Sequence, residues 1–409
     1  MAQRPTHDIV IVGGGSAGIS TASSLLKRRP GLDIAIIEPS ESHYYQPGWT
    51  MVGGGVFDAP VTCRPTATLM PKRVRWIRQK AATFQPELDQ LTLEDGSKLT
   101  YRMLIVAPGI RLAWEKIAGL EETLGKNGVT SNYRYDLAPY TWELVQRTKS
   151  GRAIFSQPPM PIKCAGAPQK AMYLSCYAWR EAGCLDDITV EFHNAGGTLF
   201  GVEAYVPALM EYVEKYGIDL NLNSNLVAVD GPARQATFQT AAGEVTRDFE
   251  MIHVVPPQVA PQFIADSPLA AESGFVDVDQ VTLRHNRYPN VFGLGDAGSM
   301  PNAKTAAAVR KQAPIVAVNA LAVLDGKEPL CEYDGYGSCP LTVERGKIVL
   351  AEFGYGGKLL PTFPSWLIEG TRPRKLSWLL KSEILPWVYW NGMLKGHEWL
   401  VKPKETRTL

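Results

Sequence analysis

The sequence predicts an α/β fold in which two Rossmann-like dinucleotide-binding units lie in tandem ahead of a C-terminal region of strands and amphipathic helices. Three observations predict this order. An apolar strand, a glycine-rich turn and a helix open the chain over Asp8–Arg28. A second strand, loop, helix and strand follow over 152–193, and tryptophan and basic residues accumulate after residue 355. Strands that alternate with helices are typical of parallel sheets covered by helices.

The composition is that of a globular protein with sizeable cores. The chain has 409 residues, 45% hydrophobic and 20% charged, which is enough for two or three domains. Its net charge of +1 gives no electrostatic case for nucleic acid as a partner. The polar start Met1–Asp8 predicts no secretory signal. No run reaches the roughly 20 apolar residues of a spanning helix, and no cysteine has zinc-ligand spacing, so we expect no metal.

The first unit carries a complete dinucleotide-binding fingerprint. Gly13, Gly15 and Gly18 form G-x-G-x-x-G between the strand Asp8–Val12 and a helix that begins at Ser16. The first glycine permits a tight turn, the second lets the backbone approach a pyrophosphate, and the third lets helix and strand pack closely. The pyrophosphate is expected at the N-terminus of this helix, which extends to residue 28.

An acidic residue stands where the fingerprint requires one. The second strand, Ile34–Ile37, is followed by Glu38, 20 residues after Gly18. A carboxylate at this position can accept hydrogen bonds from both ribose hydroxyls of a dinucleotide. The motif and its context therefore predict a bound dinucleotide, but they do not distinguish NAD from FAD.

Two later segments favour FAD. Leu104–Gly109 (LIVAPG) resembles the strand and turn with which flavoproteins of two dinucleotide domains return to the FAD domain. Val291–Asp296 (VFGLGD) resembles their late motif, whose aspartate binds the ribityl chain. A helix that starts near Lys304 would point its N-terminus at the flavin pyrimidine and favour negative charge there. The residues expected to bind FAD are Gly13, Gly15, Ser16, Gly18, Glu38, Gly109, Gly295, Asp296, Lys304 and Thr305.

The second unit keeps the βαβ frame but lacks the glycine motif. The strand Arg152–Gln157 leads into the loop Pro158–Lys170, PPMPIKCAGAPQK, which contains a single glycine. Its prolines remove N–H groups that a pyrophosphate would need. The helix Ala171–Glu181 and the strand Ile188–His193 follow, with further strands of the same sheet expected over 218–229 and 251–255. We expect no nicotinamide nucleotide here, and a reactive group at Cys164 in its place.

Two cysteines are candidates for redox chemistry. Cys164 follows Lys163 and precedes a helix start near Pro168, and both features favour a thiolate. Cys339 lies far along the chain in GYGSCPL, between apparent strands. From the residues alone, two other roles of Cys339 stay open: it could be a buried thiol in a strand, or a partner of Cys331 across a hairpin. Cys63, Cys176 and Cys184 have no motif support.

The chain resembles the sulfide:quinone oxidoreductases, most closely the group that includes the mitochondrial enzyme. The HYYQP and KCAGAPQK segments are specific to this family, whereas the FAD motifs are shared by a wide superfamily. The matching segments are Gly13–Ile19 (GGGSAGI), His43–Gly55 (HYYQPGWTMVGGG), Lys163–Lys170 (KCAGAPQK), Val291–Pro314 (VFGLGDAGSMPNAKTAAAVRKQAP) and Tyr333–Leu341 (YDGYGSCPL).

The resemblance implies that Cys164 and Cys339 form a redox disulfide beside FAD, sometimes with extra sulfur between them. Hydrosulfide would attack Cys339 and leave a persulfide there, and Cys164 would donate to the flavin so that two electrons pass to FAD. The sulfane sulfur would leave on sulfite, glutathione, cyanide or a second sulfide, and quinone would take the electrons. Some members tether FAD through a cysteine after the LIVAPG segment; since residues 111–140 contain none, we expect non-covalent FAD.

The C-terminal tail has the composition of a membrane-binding segment. Its last 54 residues hold five of the ten tryptophans, and nine Lys and Arg against four Asp and Glu. A short helix over Lys375–Leu385 would carry Leu376, Leu379 and Leu380 on one side. Pro386 is expected to break or kink it, and residues 387–394 form a second apolar piece. Interfacial tryptophan and basic residues favour a monotopic anchor in one leaflet.

The family resemblance strengthens the anchor hypothesis. We expect the protein to bind peripherally to a bacterial cytoplasmic membrane. The alternative is a helical pair packed on the protein or at a dimer interface, and a homo-oligomer stays open. Phe353 and Phe363 are assigned as the residues that flank the quinone ring.

The expected domains are 1–110 (first part of the FAD domain), 111–280 (second unit, with Cys164), 281–330 (return to the FAD domain) and 331–409 (C-terminal region, with Cys339). The expected function is oxidation of hydrogen sulfide with transfer of two electrons through FAD to quinone. Three alternatives stay open. They are an NADH:quinone reductase, a flavin subunit that passes sulfide electrons to a cytochrome, and a flavin-bound scaffold or redox sensor without turnover.

Overall fold

The computed structural model describes residues 6–405. The described part of the chain excludes residues 1–5 and 406–409. The prediction of no secretory signal falls mostly on the first of these two ranges. The predicted α/β class with two Rossmann-like units is confirmed.

The strands are, in chain order, β1 (His7–Val12), β2 (Ile34–Ile37), β3 (Ser42–Tyr44), β4 (Cys63–Pro65), β5 (Val74–Ile77), β6 (Ala81–Gln85), β7 (Gln90–Leu93), β8 (Lys98–Val106), β9 (Arg111–Leu112), β10 (Val129–Thr130), β11 (Gly151–Gln157), β12 (Ile188–Asn194), β13 (Asp219–Leu222), β14 (Asn225–Asp230), β15 (Gln235–Thr240), β16 (Gly243–Asp248), β17 (Met251–His253), β18 (Gln258–Val259), β19 (Val291–Gly293), β20 (Gly337–Glu344) and β21 (Lys347–Phe353). The α-helices are α1 (Ser16–Arg28), α2 (Trp49–Gly53), α3 (Leu120–Thr123), α4 (Ala138–Arg147), α5 (Ala167–Glu181), α6 (Val206–Lys215), α7 (Gln262–Ala265), α8 (Ala306–Leu324), α9 (Lys375–Leu379) and α10 (Leu385–Asn391).

The first unit is built on a seven-stranded sheet in the order β5–β2–β1–β8–β7–β6, with β19 also paired to β8. Strands β1, β2, β5, β8 and β19 run parallel. Their apolar runs, such as Ile9–Val12, are buried, as expected for a parallel sheet with both faces covered. Helices α1 and α8 pack against each other. The glycine turn after β1 and the start of α8 therefore lie at the carboxyl ends of parallel strands, where ligands bind in such folds.

The second unit contains a parallel sheet in the order β10–β17–β11–β12–β13, covered by α5. The prediction that residues 218–229 belong to this sheet is wrong for its second half. Asn223 adopts a left-handed conformation, with φ of +53°, and the turn it makes directs β14 out of the sheet. Strand β14 instead pairs with β15 and β16 in a separate antiparallel sheet.

The chain returns to the first unit earlier than residue 281. Ile264, Leu269, Val276 and Val278 already pack in the core of the first unit. The two crossings between the units are paired with each other, because β9 and β18 form a short antiparallel ribbon.

The hairpin of β20 and β21 packs mainly on α5 of the second unit, and β20 also contacts α8 of the first unit. Cys339 and Leu341 of β20 lie in the core that includes α5. The rest of the C-terminal region then crosses back to the first unit, where Tyr389, Trp390 and Met393 are buried against its core.

The tail helix does not end at Pro386. A π-helical turn at Leu380–Ile384 connects α9 to α10, and Pro386 lies in the first turn of α10. A proline is tolerated at this position because the N–H of a first-turn residue needs no helical partner.

The tail has an outer apolar face and an inner buried face. We define the outer face as Leu376, Leu379, Ile384 and Trp387, whose exposed fractions range from 43% to 55%. The prediction that residues 387–394 form one apolar membrane-facing piece is only partly right. Trp387 is exposed, but Tyr389, Trp390, Met393 and Leu394 point inward.

Helix α8 is long and apolar enough to cross a membrane by length and composition. The expectation that no segment meets this criterion is therefore wrong for Ala306–Leu324. Most of this helix is buried inside the protein, where it packs against α1.

Candidate active site

The fold brings Cys164 and Cys339 together. Their Sγ atoms lie 3.5 Å apart although the residues are 175 positions apart in sequence, and both are free thiols. Cys164 lies in the loop between β11 and α5 and has a φ of +50°, whereas Cys339 lies within β20, which packs along α5. A Cβ atom on Gly166 would lie 2.6 Å from the Cys339 sulfur. Glycine at this position therefore permits the close approach of β20 to the cysteine loop.

Hydrogen bonds hold the Cys164 loop against the start of α8. The Cys164 amide donates to the Lys304 carbonyl oxygen over 2.8 Å, and the next residue, Thr305, is the N-cap of α8. From the other side, the Tyr133 hydroxyl donates to the carbonyl oxygens of Lys163 and Cys164, over 3.1 and 3.2 Å. The sulfur pair therefore lies beside the helix N-terminus at which the sequence predicts the flavin.

The surroundings of Cys164 favour its thiolate. Lys170, in the first turn of α5, places Nζ 3.0 Å from the Cys164 sulfur. A hydrogen bond from Cys339 and the charge of Lys170 hold the pKa of Cys164 well below its ordinary value, against the opposing effect of burial. The same hydrogen bond, together with burial, raises the pKa of Cys339 well above its ordinary value. The two opposite shifts favour a Cys164 thiolate that accepts a hydrogen bond from the Cys339 thiol.

A second buried lysine reaches this group from the C-terminal tail. Lys381 lies on the π-helical turn and is 4% exposed. Burial and the nearby charge of Lys170 lower the pKa of Lys381 to about 7, although Cys164 and Cys339 act in the opposite direction. Burial also lowers the pKa of Lys170, but the negative charge of the cysteine pair outweighs it and raises that pKa. The site is therefore an electropositive pocket around one thiolate.

Sequence reasoning missed Lys170, Lys381 and Tyr133. Lys170 could have been found, because it ends the KCAGAPQK segment and lies in the first turn of the helix that follows Cys164. Tyr133 and Lys381 carry no such signal, since they reach the cysteine loop from distant parts of the chain.

The glycine loop of the first unit fits a pyrophosphate. A Cβ atom on Gly13 would lie 2.3 Å from the Ala107 carbonyl oxygen, and one on Gly18 would lie 1.9 Å from that of Gly13. A Cβ atom on Gly15, in contrast, would meet nothing within 4 Å. Helix α1 begins at Ser16 with no side-chain cap and no acidic residue in its first turn, so its free N–H groups can bind an anionic phosphate.

Glu38 and Gly109 lie on either side of this loop. The Glu38 carboxylate accepts hydrogen bonds from the amides of Gly14 and Ser40, each over 2.8 Å. It is therefore held at the end of β2, where the ribose of a dinucleotide is expected. Gly109 has a φ of +83° in the turn after β8, and a Cβ atom there would meet nothing within 4 Å.

The late motif places a carboxylate and a helix start near the cysteine loop. Asp296 is half-buried, and burial raises its pKa while Lys304 opposes this shift. Gly295 has a φ of +69° and donates its amide to Gln312 over 2.8 Å. The Lys304 ammonium donates to two backbone carbonyls, one of them that of Asp296, and the Thr305 hydroxyl oxygen caps α8. Both side chains are engaged in protein contacts, so α8 can offer a ligand its N-terminal amides.

The remaining predicted residues lie elsewhere. Phe353 packs edge-on against Phe200 with ring centroids 5.8 Å apart, and Phe363 is half-buried in the segment that follows β21. Their assignment to a quinone site stays a prediction. Cys331 packs in the first core and Cys339 in the second, so the open alternative that these two cysteines are partners is wrong.

The chain matches a family model described as pyridine nucleotide-disulphide oxidoreductase over residues 7–157. It is 39% identical to the sulfide:quinone oxidoreductase, mitochondrial, of Mus musculus, over 96% of this chain and 87% of the mouse protein. It is 42% identical to the protein of the same name from Dictyostelium discoideum, over 95% of this chain and 86% of that protein.

A solved structure shares the fold across both units and the C-terminal region. The sulfide:quinone oxidoreductase from Aquifex aeolicus superposes with a TM-score of 0.78 and is 20% identical, with 95% of this chain and 92% of that chain covered. The two curated relatives are named as mitochondrial enzymes, and the expectation of a bacterial membrane has no support from them.

Proposed function

Because the chain belongs to the sulfide:quinone oxidoreductase family, we propose that it oxidises hydrogen sulfide and passes two electrons through FAD to a quinone. The observation that carries this proposal is the position of the cysteine pair. A thiolate and a thiol 3.5 Å apart lie where a nicotinamide-binding loop would otherwise be. A redox-active sulfur pair beside the start of α8 can exchange electrons with a flavin bound in the first unit.

The reaction begins with the pair oxidised to a disulfide. Hydrosulfide attacks Cys339 Sγ, the bond between the two sulfur atoms breaks, and Cys164 leaves as a thiolate while Cys339 carries the new persulfide. Lys170 stabilises both the incoming hydrosulfide anion and the departing thiolate by its positive charge, and Lys381 adds to this effect when it is protonated. The Tyr133 hydroxyl holds the Cys164 backbone in place during this exchange.

The sulfane sulfur then leaves Cys339 on a small nucleophile such as sulfite, glutathione, cyanide or a second sulfide. The pair re-forms its disulfide and releases two electrons. FAD would be held non-covalently by the glycine loop, Glu38 and Asp296, and it would supply the acceptor through which these two electrons reach quinone. The overall reaction consumes one hydrosulfide, one acceptor, one quinone and one proton. It yields one sulfurated acceptor and one quinol.

The proposal is tested by anaerobic absorption spectroscopy of the purified holoprotein. We expect sulfide to bleach the flavin band rapidly after mixing. A soluble ubiquinone analogue should then restore the band in full. Rapid bleaching by NADH would instead favour the NADH:quinone reductase. A flavin that neither substrate reduces would favour the scaffold or sensor, and re-oxidation by a cytochrome but not by the quinone would favour the cytochrome-coupled subunit.

We further propose that the outer face of the tail binds the surface of a bilayer, from which the quinone is taken. Four apolar side chains of α9, the π-helical turn and α10 stay exposed there, and Trp366, which precedes α9 in the sequence, is 83% exposed. Exposed tryptophan and leucine of this kind partition into the interface, and the basic tail adds attraction to anionic lipid.

Replacing both Leu379 and Trp387 with glutamate is expected to lower binding to vesicles at least about tenfold, because each side chain loses apolar burial worth about 1.5–3 kcal/mol. Flotation with vesicles of phosphatidylcholine and phosphatidylserine measures this binding. Leu88→Glu is the control, since Leu88 is also exposed, at 65%, but lies between β6 and β7 of the first unit and not on the outer face of the tail. Unchanged flotation of the double variant would contradict the anchor.

A further inference from the structure

A buried hydrogen-bond chain connects the C-terminal tail to the glycine loop. The His43 ring donates or accepts at two atoms: Nε2 lies 2.6 Å from the Tyr389 hydroxyl, and Nδ1 lies 3.3 Å from the Gly14 carbonyl oxygen. Both side chains are about 5% exposed. Ser16, the first residue of α1, also interacts with the Tyr389 hydroxyl. No step of the proposed reaction uses these contacts.

The protonation of this chain follows from its partners. The Gly14 carbonyl can only accept, so Nδ1 carries the proton and Nε2 accepts from the Tyr389 hydroxyl. Burial lowers the pKa of His43 to about 4, which agrees with a neutral ring. The Gly14 amide donates to Glu38. The Gly14 residue is therefore held on its N–H and on its carbonyl, and the amides that follow it stay free for a phosphate.

The same tail segment is fastened along the rest of α1. The Ser23 hydroxyl donates to the Leu394 carbonyl over 2.7 Å, and the Ser24 hydroxyl donates to the Glu398 carboxylate over 2.7 Å. Arg28 binds both oxygens of Glu398, over 2.5 and 2.9 Å. The segment thus contacts the helix from its first turn to its last.

We propose that residues 389–398 act as a clasp that retains the dinucleotide. In this proposal His43 and Tyr389 are positioning residues: they orient the Gly14 peptide so that the start of α1 is preorganised for the pyrophosphate. The inference rests on FAD as the cofactor but not on sulfide or quinone as substrates.

The test is the affinity of the apoprotein for FAD, measured by the quenching of FAD fluorescence, together with the melting temperature of the apoprotein. Tyr389→Phe keeps the ring packing and removes the hydroxyl that donates to His43. We expect FAD to bind about tenfold more weakly, as loss of one buried hydrogen bond in a preorganised loop implies. Glu398→Gln, at the far end of the clasp, should also weaken FAD binding, by about threefold.

Tyr216→Phe is the matched control, because the Tyr216 hydroxyl is buried in the second unit and donates to the Val343 carbonyl over 3.1 Å. It should lower the melting temperature without changing FAD affinity. Equal FAD affinity in Tyr389→Phe and the unmodified chain would overturn the proposal. So would a loss of affinity that Tyr216→Phe reproduces, since that would indicate general destabilisation. Neither readout involves sulfide, so failure here is distinguishable from failure of the proposed reaction.

Discussion

Replacing either Cys164 or Cys339 with serine is expected to slow the bleaching of the flavin by sulfide at least about a thousandfold. A serine cannot form the disulfide that hydrosulfide attacks, and loss of a nucleophile that acts within a catalytic unit has effects of this size or larger. Stopped-flow absorption of each variant under anaerobic conditions measures the rate.

Cys184→Ser provides the control for this experiment. Cys184 is buried in the same core as Cys339, and its thiol donates to the Trp179 backbone carbonyl over 3.7 Å, so its variant should bleach at the rate of the unmodified protein. The flavin content of all three variants should stay equal, because neither sulfur of the pair contacts the glycine loop. A Cys164→Ser or Cys339→Ser variant that keeps full turnover would falsify the assignment of the sulfur pair.

Replacing Lys170 with methionine is expected to change how the reactivity of Cys164 depends on pH. In the unmodified chain the pKa of Cys164 is depressed by the Cys339 hydrogen bond and by Lys170, so the thiolate persists as the pH falls below neutral. Without the ammonium the pKa rises, and the thiolate fraction is lost at higher pH. Each unit of increase lowers the thiolate fraction tenfold at a pH below both pKa values.

Alkylation of the reduced protein by iodoacetamide, quantified on the Cys164 peptide by mass spectrometry from pH 5 to pH 9, measures this profile. We expect the rate at pH 6 to fall at least about tenfold in Lys170→Met and to recover at pH 9. Lys149→Met is the control, because Lys149 is exposed after α4 and lies outside both the cysteine loop and the tail. If the two profiles coincide, Lys170 does not stabilise the thiolate.

The parts of the fold and site that the sequence predicts well are those carried by contiguous segments. The helix Ser16–Arg28 and the strand Ile34–Ile37 have the predicted limits, because a glycine turn and a buried apolar run define them locally. The strand predicted over 218–229 is only partly in the parallel sheet of the second unit. Its second half, β14, belongs to another sheet because one left-handed residue, Asn223, redirects the chain.

The candidate site divides in the same way. Cys164 has local signals of its own, a preceding lysine and a following helix. Cys339 stayed open from its residues alone, and only the family resemblance paired it with Cys164. The sequence gives no signal that assigns Lys381 or Tyr389 to a site. Exposed and buried side chains alternate along the tail helices, and only the packing of the tail on the protein shows which side chains point inward.

The tail that supplies Lys381 to the sulfur pair and Tyr389 to the glycine loop follows both Rossmann-like units in the sequence. Both cysteines and Lys170 therefore precede Lys381 in the order of synthesis, so a chain that stops before residue 381 lacks one of the lysines near the sulfur pair. A product shortened by a premature stop before residue 381 would carry the same cysteines with a weaker nucleophile.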